Sequence, residues 1–500
     1  MAERPLLRII KQSGLYAIGN VAVKLSGLLL APFYLDSRYL SLSDYGYLAL
    51  LMATSQIGIF VVGLGIGTGL LKFMADREMA GVRDRLPFTA LVTTIGVSVL
   101  AWFAFQAGAT GLSRLILGSP DRSLILMALG TYVVFKTVGA VPMMLLRIQE
   151  RAGLFALAMA LEMGLLLGGV YYFLVVRQEG LYGVMEAYMW SAGASTAVLL
   201  VGSLQRIRWR FDGSLLKPLI RYGSPLVMVS LASLVLNAGD RYLLNGLTDA
   251  ETVGMYDWAA RISGVLNLLV VQSFQLAFTV IGLKTLGDGD HGLHRRTFRH
   301  YTVWAGWAVL ALSLLAYDGT LVLTRIGADP HYLDASGLVL PLAFGFYVYG
   351  NYVIITNVLY AAWKTPVIGV LVVGAALLNI VLNLLLIPVA GSMGAAVATV
   401  CSYAALAGGA YRRAEREMRM GYPWRTFGLT VGLILALYAA GALTADWSTG
   451  MRLTARIGLI LSYLPLGAWL GLYSREELRA GWEALRARRS GRPAAGSEGT

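Results

Sequence analysis

The chain has 500 residues, of which 57% are hydrophobic and 14% charged, and its mean hydropathy is +0.65. Ordinary soluble domains carry about 25% charged residues, so a water-soluble enzyme or binding domain is excluded and an all-α integral membrane protein is expected. The net charge of +13 would suit nucleic acid, but its distribution along the chain assigns it to membrane topology.

Apolar runs of about 20 residues, each long enough to cross a hydrocarbon core of roughly 30 Å as a helix, recur along most of the length. They are too continuous for barrel strands, which alternate in polarity. Fourteen spans are predicted, near 14–35, 45–71, 87–108, 123–146, 153–176, 181–204, 221–246, 252–283, 301–324, 336–362, 366–388, 391–411, 427–446 and 454–474. The first follows a basic start, carries Asn20 and Lys24 and shows no small-residue cleavage site, so it is expected to be retained. Loops are short; the longest on the side opposite the N-terminus is predicted from Ala109 to Arg122.

Thirty of the 41 Lys and Arg fall in loops on the N-terminal side, and seven, Arg452 and Arg456 among them, fall on the other. Basic loops stay cytoplasmic, so both termini are predicted cytoplasmic. Ser43-Asp44-Tyr45-Gly46, opening the second span, parallels Glu251-Thr252-Val253-Gly254, opening the eighth, and Gly180, Gly183, Ala187 and Ser191 parallel Gly391, Gly394, Ala398 and Ser402. A six-span repeat preserves topology and predicts two halves around a central cavity. The expected organisation is a six-helix half over 1–204, a second over 205–411, two extra helices over 412–474 and a partly disordered cytoplasmic tail over 475–500.

The stretch from Asn237 to Gln275 gathers Asp240, Arg241, Asp257 and Arg261 about a short acidic turn. A charge in a membrane-spanning helix costs roughly 2.5–3.5 kcal/mol, so such groups face a bundle interior or a wet cavity and mark function. On the first span Tyr16, Asn20, Lys24 and Gly27 share a helical face, as do Tyr132, Lys136 and Gly139 on the fourth and Ser233, Asn237 and Arg241 on the seventh. Cations in a dry cavity suit an anionic ligand such as pyrophosphate, and Arg adds a fork that takes two oxygens. The candidate binding residues are Lys24, Lys136, Arg241, Arg261, Asn20, Asn237, Tyr347 and Asn351, the last two from a Tyr- and Asn-rich tenth span that suits either cupping a sugar or interface-belt packing. Glu162, Glu186, Asp240 and Asp257 are candidates for ion coupling, or for pairing with these bases; Asp257 and Arg261 stand at i,i+4.

The glycines of GLGIGTG at 63–69 follow no strand, so a kink or close helix packing is expected there rather than phosphate binding. GDGDHGLH, with Asp288, Asp290, His291 and His294, reads as a solvated turn, not a metal site. No Walker loop or nucleophile elbow is present in the sequence, and no cofactor, metal or enzymatic activity is expected.

Fourteen spans in a six-plus-six-plus-two plan, with Asp240-Arg241-Tyr242 leading through Val253-Gly254-Met255-Tyr256 to Arg261, resemble the polysaccharide or O-antigen flippases of the multidrug, oligosaccharidyl-lipid and polysaccharide exporter superfamily. The resemblance implies alternating-access export of a sugar chain on undecaprenyl pyrophosphate, from inner to outer leaflet of the bacterial cytoplasmic membrane. It also implies a pyrophosphate received by cavity cations, here best matched by Lys24, Arg241 and Arg261, and polysaccharide polymerase or assembly proteins as partners. A lipid II flippase shares the plan but has a larger set of cavity arginines than is matched here. A multidrug antiporter binds cations and places an acid in the first span, where this chain has Lys24. A membrane polymerase or ligase would project a long outer loop.

Overall fold

The computed structural model describes residues 26–77, 79, 81–205, 207–287 and 291–473. The described residues fold into helices and connecting turns, with one isolated antiparallel bridge between Asp36 and Ala328. The helices are α1 (Ala31–Tyr34), α2 (Leu42–Gly63), α3 (Ile66–Ala75), α4 (Leu86–Leu117), α5 (Ser123–Ile148), α6 (Ala152–Val170), α7 (Gly180–Leu204) and α8 (Leu216–Ala238). They continue with α9 (Asp240–Leu247), α10 (Ala250–Leu266), α11 (Ser273–Gly287), α12 (Gly292–Thr324), α13 (Val339–Ala361), α14 (Thr365–Glu417), α15 (Trp424–Ala442) and α16 (Thr449–Trp469).

Among the described residues eleven helices are long and apolar enough to cross a membrane, and large apolar side chains such as Leu100, Phe103 and Leu385 stand more than half exposed on them. Exposed apolar cover of this kind is compatible with lipid and not with water. The protein is a multi-pass membrane protein. The 53-residue α14 is divided at Gly391, which has φ 54° and ψ −133° and follows Pro388 by three residues, so the predicted break between 388 and 391 is present. The predicted first span lies largely outside the described residues, and α16, the counterpart of the last, carries Arg452 and Arg456 within the helix.

Local chemistry sets several boundaries. Ser41 caps α2 by accepting from the Asp44 N–H at 3.1 Å, satisfying a donor that the first helical turn leaves free. Leu64 and Gly65 take left-handed φ of 49° and 68°, breaking the predicted second span into α2 and α3. This is the kink expected from the glycine run. The predicted outer loop from Ala109 to Arg122 is a correction: α4 continues to Leu117, because Ser113, Ile116 and Leu117 bury one face and the Ser113 hydroxyl donates to the Ser119 carbonyl at 2.6 Å.

The contacts divide the chain into two compact units. One comprises the described residues of Met1–Arg261 with Leu321–Ala335 and Val372–Ser402. Its core joins α3, α4, α5 and the start of α8 through Leu70, Leu86, Leu145 and Leu219, and a second cluster sets Phe155 and Met159 of α6 against Leu199 of α7. The other comprises Ile262–Thr320, Ser336–Leu371 and the described residues of Tyr403–Thr500. There α13 is the most enclosed element, and the Tyr463 hydroxyl of α16 donates to the Val303 carbonyl of α12 at 2.8 Å.

Candidate functional site

In the first unit the end of α8, with α9 and α10, brings together five of the candidate residues, Asn237, Asp240, Arg241, Asp257 and Arg261. Asp257 is the hub. Its Oδ1 accepts from Arg241 Nε at 2.9 Å, and its Oδ2 accepts from Arg261 Nε at 2.7 Å. Arg241 Nη1 also donates to Asp240 Oδ1 at 3.0 Å and to the Asn237 carbonyl at 3.1 Å, while the Tyr256 hydroxyl donates to Asp240 Oδ2 at 2.5 Å. Side-chain exposure is 12% for Arg241, 21% for Arg261 and 7% for Asp257. The two arginines and two aspartates sum to zero, so the network carries no bare charge in a low-dielectric surrounding. The sequence offered two outcomes, cations open to a ligand or cations paired with acids; in this conformation they are paired. Asn237 contributes its carbonyl to Arg241, and its own amide donates to the Ser233 carbonyl at 2.6 Å.

Aromatic rings frame the network. Arg241 lies 5.7 Å from the Tyr256 ring centre and Arg261 5.5 Å from that of Tyr45, distances at which a cation is attracted to a ring face. Tyr45 meets Tyr332 edge to face at 5.7 Å. Arg261 also reaches the first predicted span: a Cβ on Gly27 would lie 2.5 Å from Arg261 Nη1. Gly27 is the last member of the stripe that carries Asn20 and Lys24, and both of those lie outside the described residues. Tyr45 and Tyr256 were quoted in the sequence only as members of the segments around Gly46 and Gly254 and not as site residues, since Tyr is common in interface belts.

Lys136 and Glu162 form a separate network. Lys136 Nζ donates to Glu162 Oε1 at 2.8 Å, and Ser195 of α7 donates to Glu162 Oε2 at 2.8 Å, so α5, α6 and α7 meet on one buried carboxylate. Glu186 lies near the start of α7, half-buried, with Tyr182 and Glu179 as hydrogen-bond neighbours.

Tyr347 and Asn351 belong to the second unit. Tyr347 is fully buried and stacks on Phe427 with ring centres 5.5 Å apart; Asn351 accepts from the Thr302 hydroxyl at 2.9 Å and donates to the Tyr347 carbonyl at 3.0 Å. In this conformation both serve packing, one of the two roles the sequence left open, and neither stands on an open sugar-cupping face. The same unit holds a charged cluster that the sequence analysis missed. Asp318 of α12 accepts from Arg452 Nε at 2.9 Å and from Arg456 Nη1 at 2.7 Å, and all three are buried. Both arginines were assigned to the outer side by counting loop charges, yet they stand at i,i+4 on one face of α16. Of GDGDHGLH, Asp288 and Asp290 lie outside the described residues.

The model of the polysaccharide biosynthesis protein family matches residues 9–279, more than half of the chain. The chain belongs to this family. The matched region contains Lys24, the Lys136–Glu162 pair and the whole Asp240–Arg241–Asp257–Arg261 network, and it ends before Tyr347. No curated protein matches. Among solved structures, this polysaccharide biosynthesis family member is similar to the lipid II flippase MurJ in an inward closed conformation, with TM-score 0.71 and 13% identity over 91% of this chain and 98% of that one. It is also similar to an inward-facing multidrug resistance MATE family transporter of the MOP superfamily, with TM-score 0.67 and 14% identity over 79% and 95% of the two chains. A MOP superfamily transporter from Pyrococcus furiosus gives TM-score 0.56 at 15% identity over 83% and 96%. At these identities the likeness establishes a shared fold.

Proposed function

We propose that this family member is a transporter, not an enzyme, that flips undecaprenyl-pyrophosphate-linked oligosaccharide from the inner to the outer leaflet of a bacterial cytoplasmic membrane. It works by alternating access, with both termini cytoplasmic, and supplies cell-surface polysaccharide synthesis. Two six-helix halves and two extra helices remain its proposed plan. The observation that carries this is the shared carboxylate of Asp257, which holds Arg261 on its own membrane-length segment Ala250–Gly287 and Arg241 on the short helix α9 before it, in a member of the polysaccharide biosynthesis protein family.

Asp257 and Asp240 act as resting counter-ions. A pyrophosphate presents several oxygens and more than one negative charge, so it competes with Asp257 for the forks of Arg241 and Arg261. Exchanging one counter-ion for another avoids leaving a buried arginine bare at any stage, which would cost several kcal/mol. Lys24 and Asn20, on the same stripe as Gly27, add a further cation and an amide to that exchange. Glu162 is the coupling carboxylate: a proton on it releases Lys136. A cytoplasm-negative potential also favours outward movement of an anion, by about 2.3 kcal/mol per charge per 100 mV.

The test is transfer of a labelled lipid-linked oligosaccharide across proteoliposomes. Arg241→Ala, Arg261→Ala and Lys24→Ala are each expected to cut the rate at least tenfold in folded protein. Wild-type rates in all three would overturn the anion site. The likeness to the lipid II flippase favours lipid II as the second reading, and movement of lipid II without movement of the oligosaccharide would select it.

A further inference from the structure

Helices α3 and α8 pack closely because glycines remove side chains from their crossing. A Cβ on Gly223 would lie 2.6 Å from the Leu64 carbonyl oxygen, and one on Gly69 would lie 3.1 Å from the Leu219 carbonyl oxygen. Beyond that crossing lies a cavity of about 570 Å³ lined by Phe73, Ser214, Lys217, Pro218, Arg221 and Tyr222. Its floor is anchored, since Phe73 and Tyr222 pack on the core cluster containing Leu215 and Leu219. Its rim is cationic. Lys217 and Arg221 are exposed, and the Lys72 ammonium sits 4.3 Å from the Tyr222 ring centre and 5.8 Å from that of Phe73.

No ion pair engages Lys72, Lys217 or Arg221 among the described residues. Asp212, the acid just before this rim, is already committed: it accepts from Arg85 at 3.1 Å and from the Ser214 hydroxyl at 2.6 Å. Three cations therefore surround an aromatic and prolyl floor with no acid on the lining. The cavity lies at the start of the membrane-length segment Gly213–Ala238, the level at which lipid headgroups stand.

We infer that this cavity binds the phosphate group of a membrane lipid. The basic rim neutralises the phosphate, while Phe73, Pro218 and Tyr222 take the first carbons of the attached chain. An inorganic ion would leave that apolar floor uncovered. The lipid is either a bulk anionic phospholipid or a polyprenyl carrier, and both present the same phosphate chemistry. The site is distinct from the Asp257 network and does not depend on the flipping reading.

Native mass spectrometry of the full chain, released from micelles containing phosphatidylglycerol, undecaprenyl pyrophosphate or phosphate-free diacylglycerol, tests this without any transport assay. Wild type is expected to retain either phosphate lipid over diacylglycerol. Each basic residue removed should weaken retention about fivefold, so Lys72→Gln/Lys217→Gln/Arg221→Gln should abolish the preference at an unchanged melting temperature, and Lys217→Arg should keep it. If the triple variant does not fold, the single Lys217→Gln carries the test with its fivefold loss. Stronger retention of phosphatidylglycerol identifies the bulk lipid as the source, and stronger retention of the pyrophosphate identifies the carrier. Equal retention by wild type and variant, or of diacylglycerol and the phosphate lipids, overturns the proposal.

Discussion

Gly46 and Gly254 cross backbone to backbone: a Cβ on Gly46 would lie 3.0 Å from the Gly254 nitrogen, and one on Gly254 would lie 2.7 Å from the Leu42 carbonyl oxygen. The crossing joins the starts of α2 and α10, the two segments whose sequences parallel each other, and Ser43 donates across it to Glu251 at 3.2 Å. Backbone cannot yield as a side chain can. Gly46→Ala or Gly254→Ala should therefore destabilise the protein by about 1–3 kcal/mol or more, read as a lower melting temperature. Gly67→Ala, which meets nothing within 4 Å, should be neutral or mildly stabilising.

Asp257 is the only acid holding Arg261 among the described residues, and it shares Arg241 with Asp240. Asp257→Ala should cost about 3–5 kcal/mol by leaving buried charge uncompensated. Adding Arg261→Met should recover part of that loss, because the orphaned cation goes with it. Thermal unfolding of the two singles and the double gives the coupling; strict additivity would show that Asp257 and Arg261 act independently.

Asp318 serves two buried arginines, so its loss should exceed the loss of either base. Asp318→Ala is expected to destabilise by about 3–5 kcal/mol, whereas Arg456→Leu leaves Arg452 paired and should cost far less. Equal melting temperatures for the two variants would contradict the arrangement.

Two ion pairs join the turn before α4 to the segment before α8: Asp84 with Arg208 at 2.9 Å and Asp212 with Arg85 at 3.1 Å. The Arg208 hydrogen bond holds the Asp84 carboxyl below its usual range, and Ser214, then Arg85, do the same for Asp212. A depressed carboxylate contributes stability above its unfolded pKa of about 3.9 and loses it as pH falls through the folded value. Hydrogen exchange over residues 81–85 and 207–214 should thus be flat from neutral pH down to about 4 and, after correction for intrinsic rates, rise below it. High salt should weaken the protection, most for Asp84–Arg208, since that pair is exposed and Arg85–Asp212 is half-buried.

If Glu162 is the coupling carboxylate, Glu162→Gln should flatten the pH dependence of transport while the protein stays folded. Lys136 and Ser195 donate to different oxygens of Glu162 at 2.8 Å; the single amide oxygen keeps one of these donors, and the amide cannot carry the carboxyl proton. A pH profile identical to wild type would remove Glu162 from ion coupling.

Spacing along one helix made part of the site legible: Asp257 and Arg261 at i,i+4 pair as their positions require. Arg241 and Asp257 are sixteen residues apart, across a turn whose angle no local pattern specifies. Arg452 and Arg456 were hidden for a related reason, since near the end of a span a charged residue has the same hydropathy whether it meets water or Asp318.

The sequence by itself determined the membrane class, most helix boundaries, a break between 388 and 391, a kink or close packing in the glycine run at 63–69, and which spans carry charge, because each follows from composition or from residues within a few turns. Only the tertiary structure decided that the bases are paired, that Tyr347 and Asn351 are packed inside, and that three cations rim a cavity between α3 and α8. Ion pairs and cavities depend on which helices become neighbours and how closely glycines let them approach, and long side chains can reach several partners until that packing selects one.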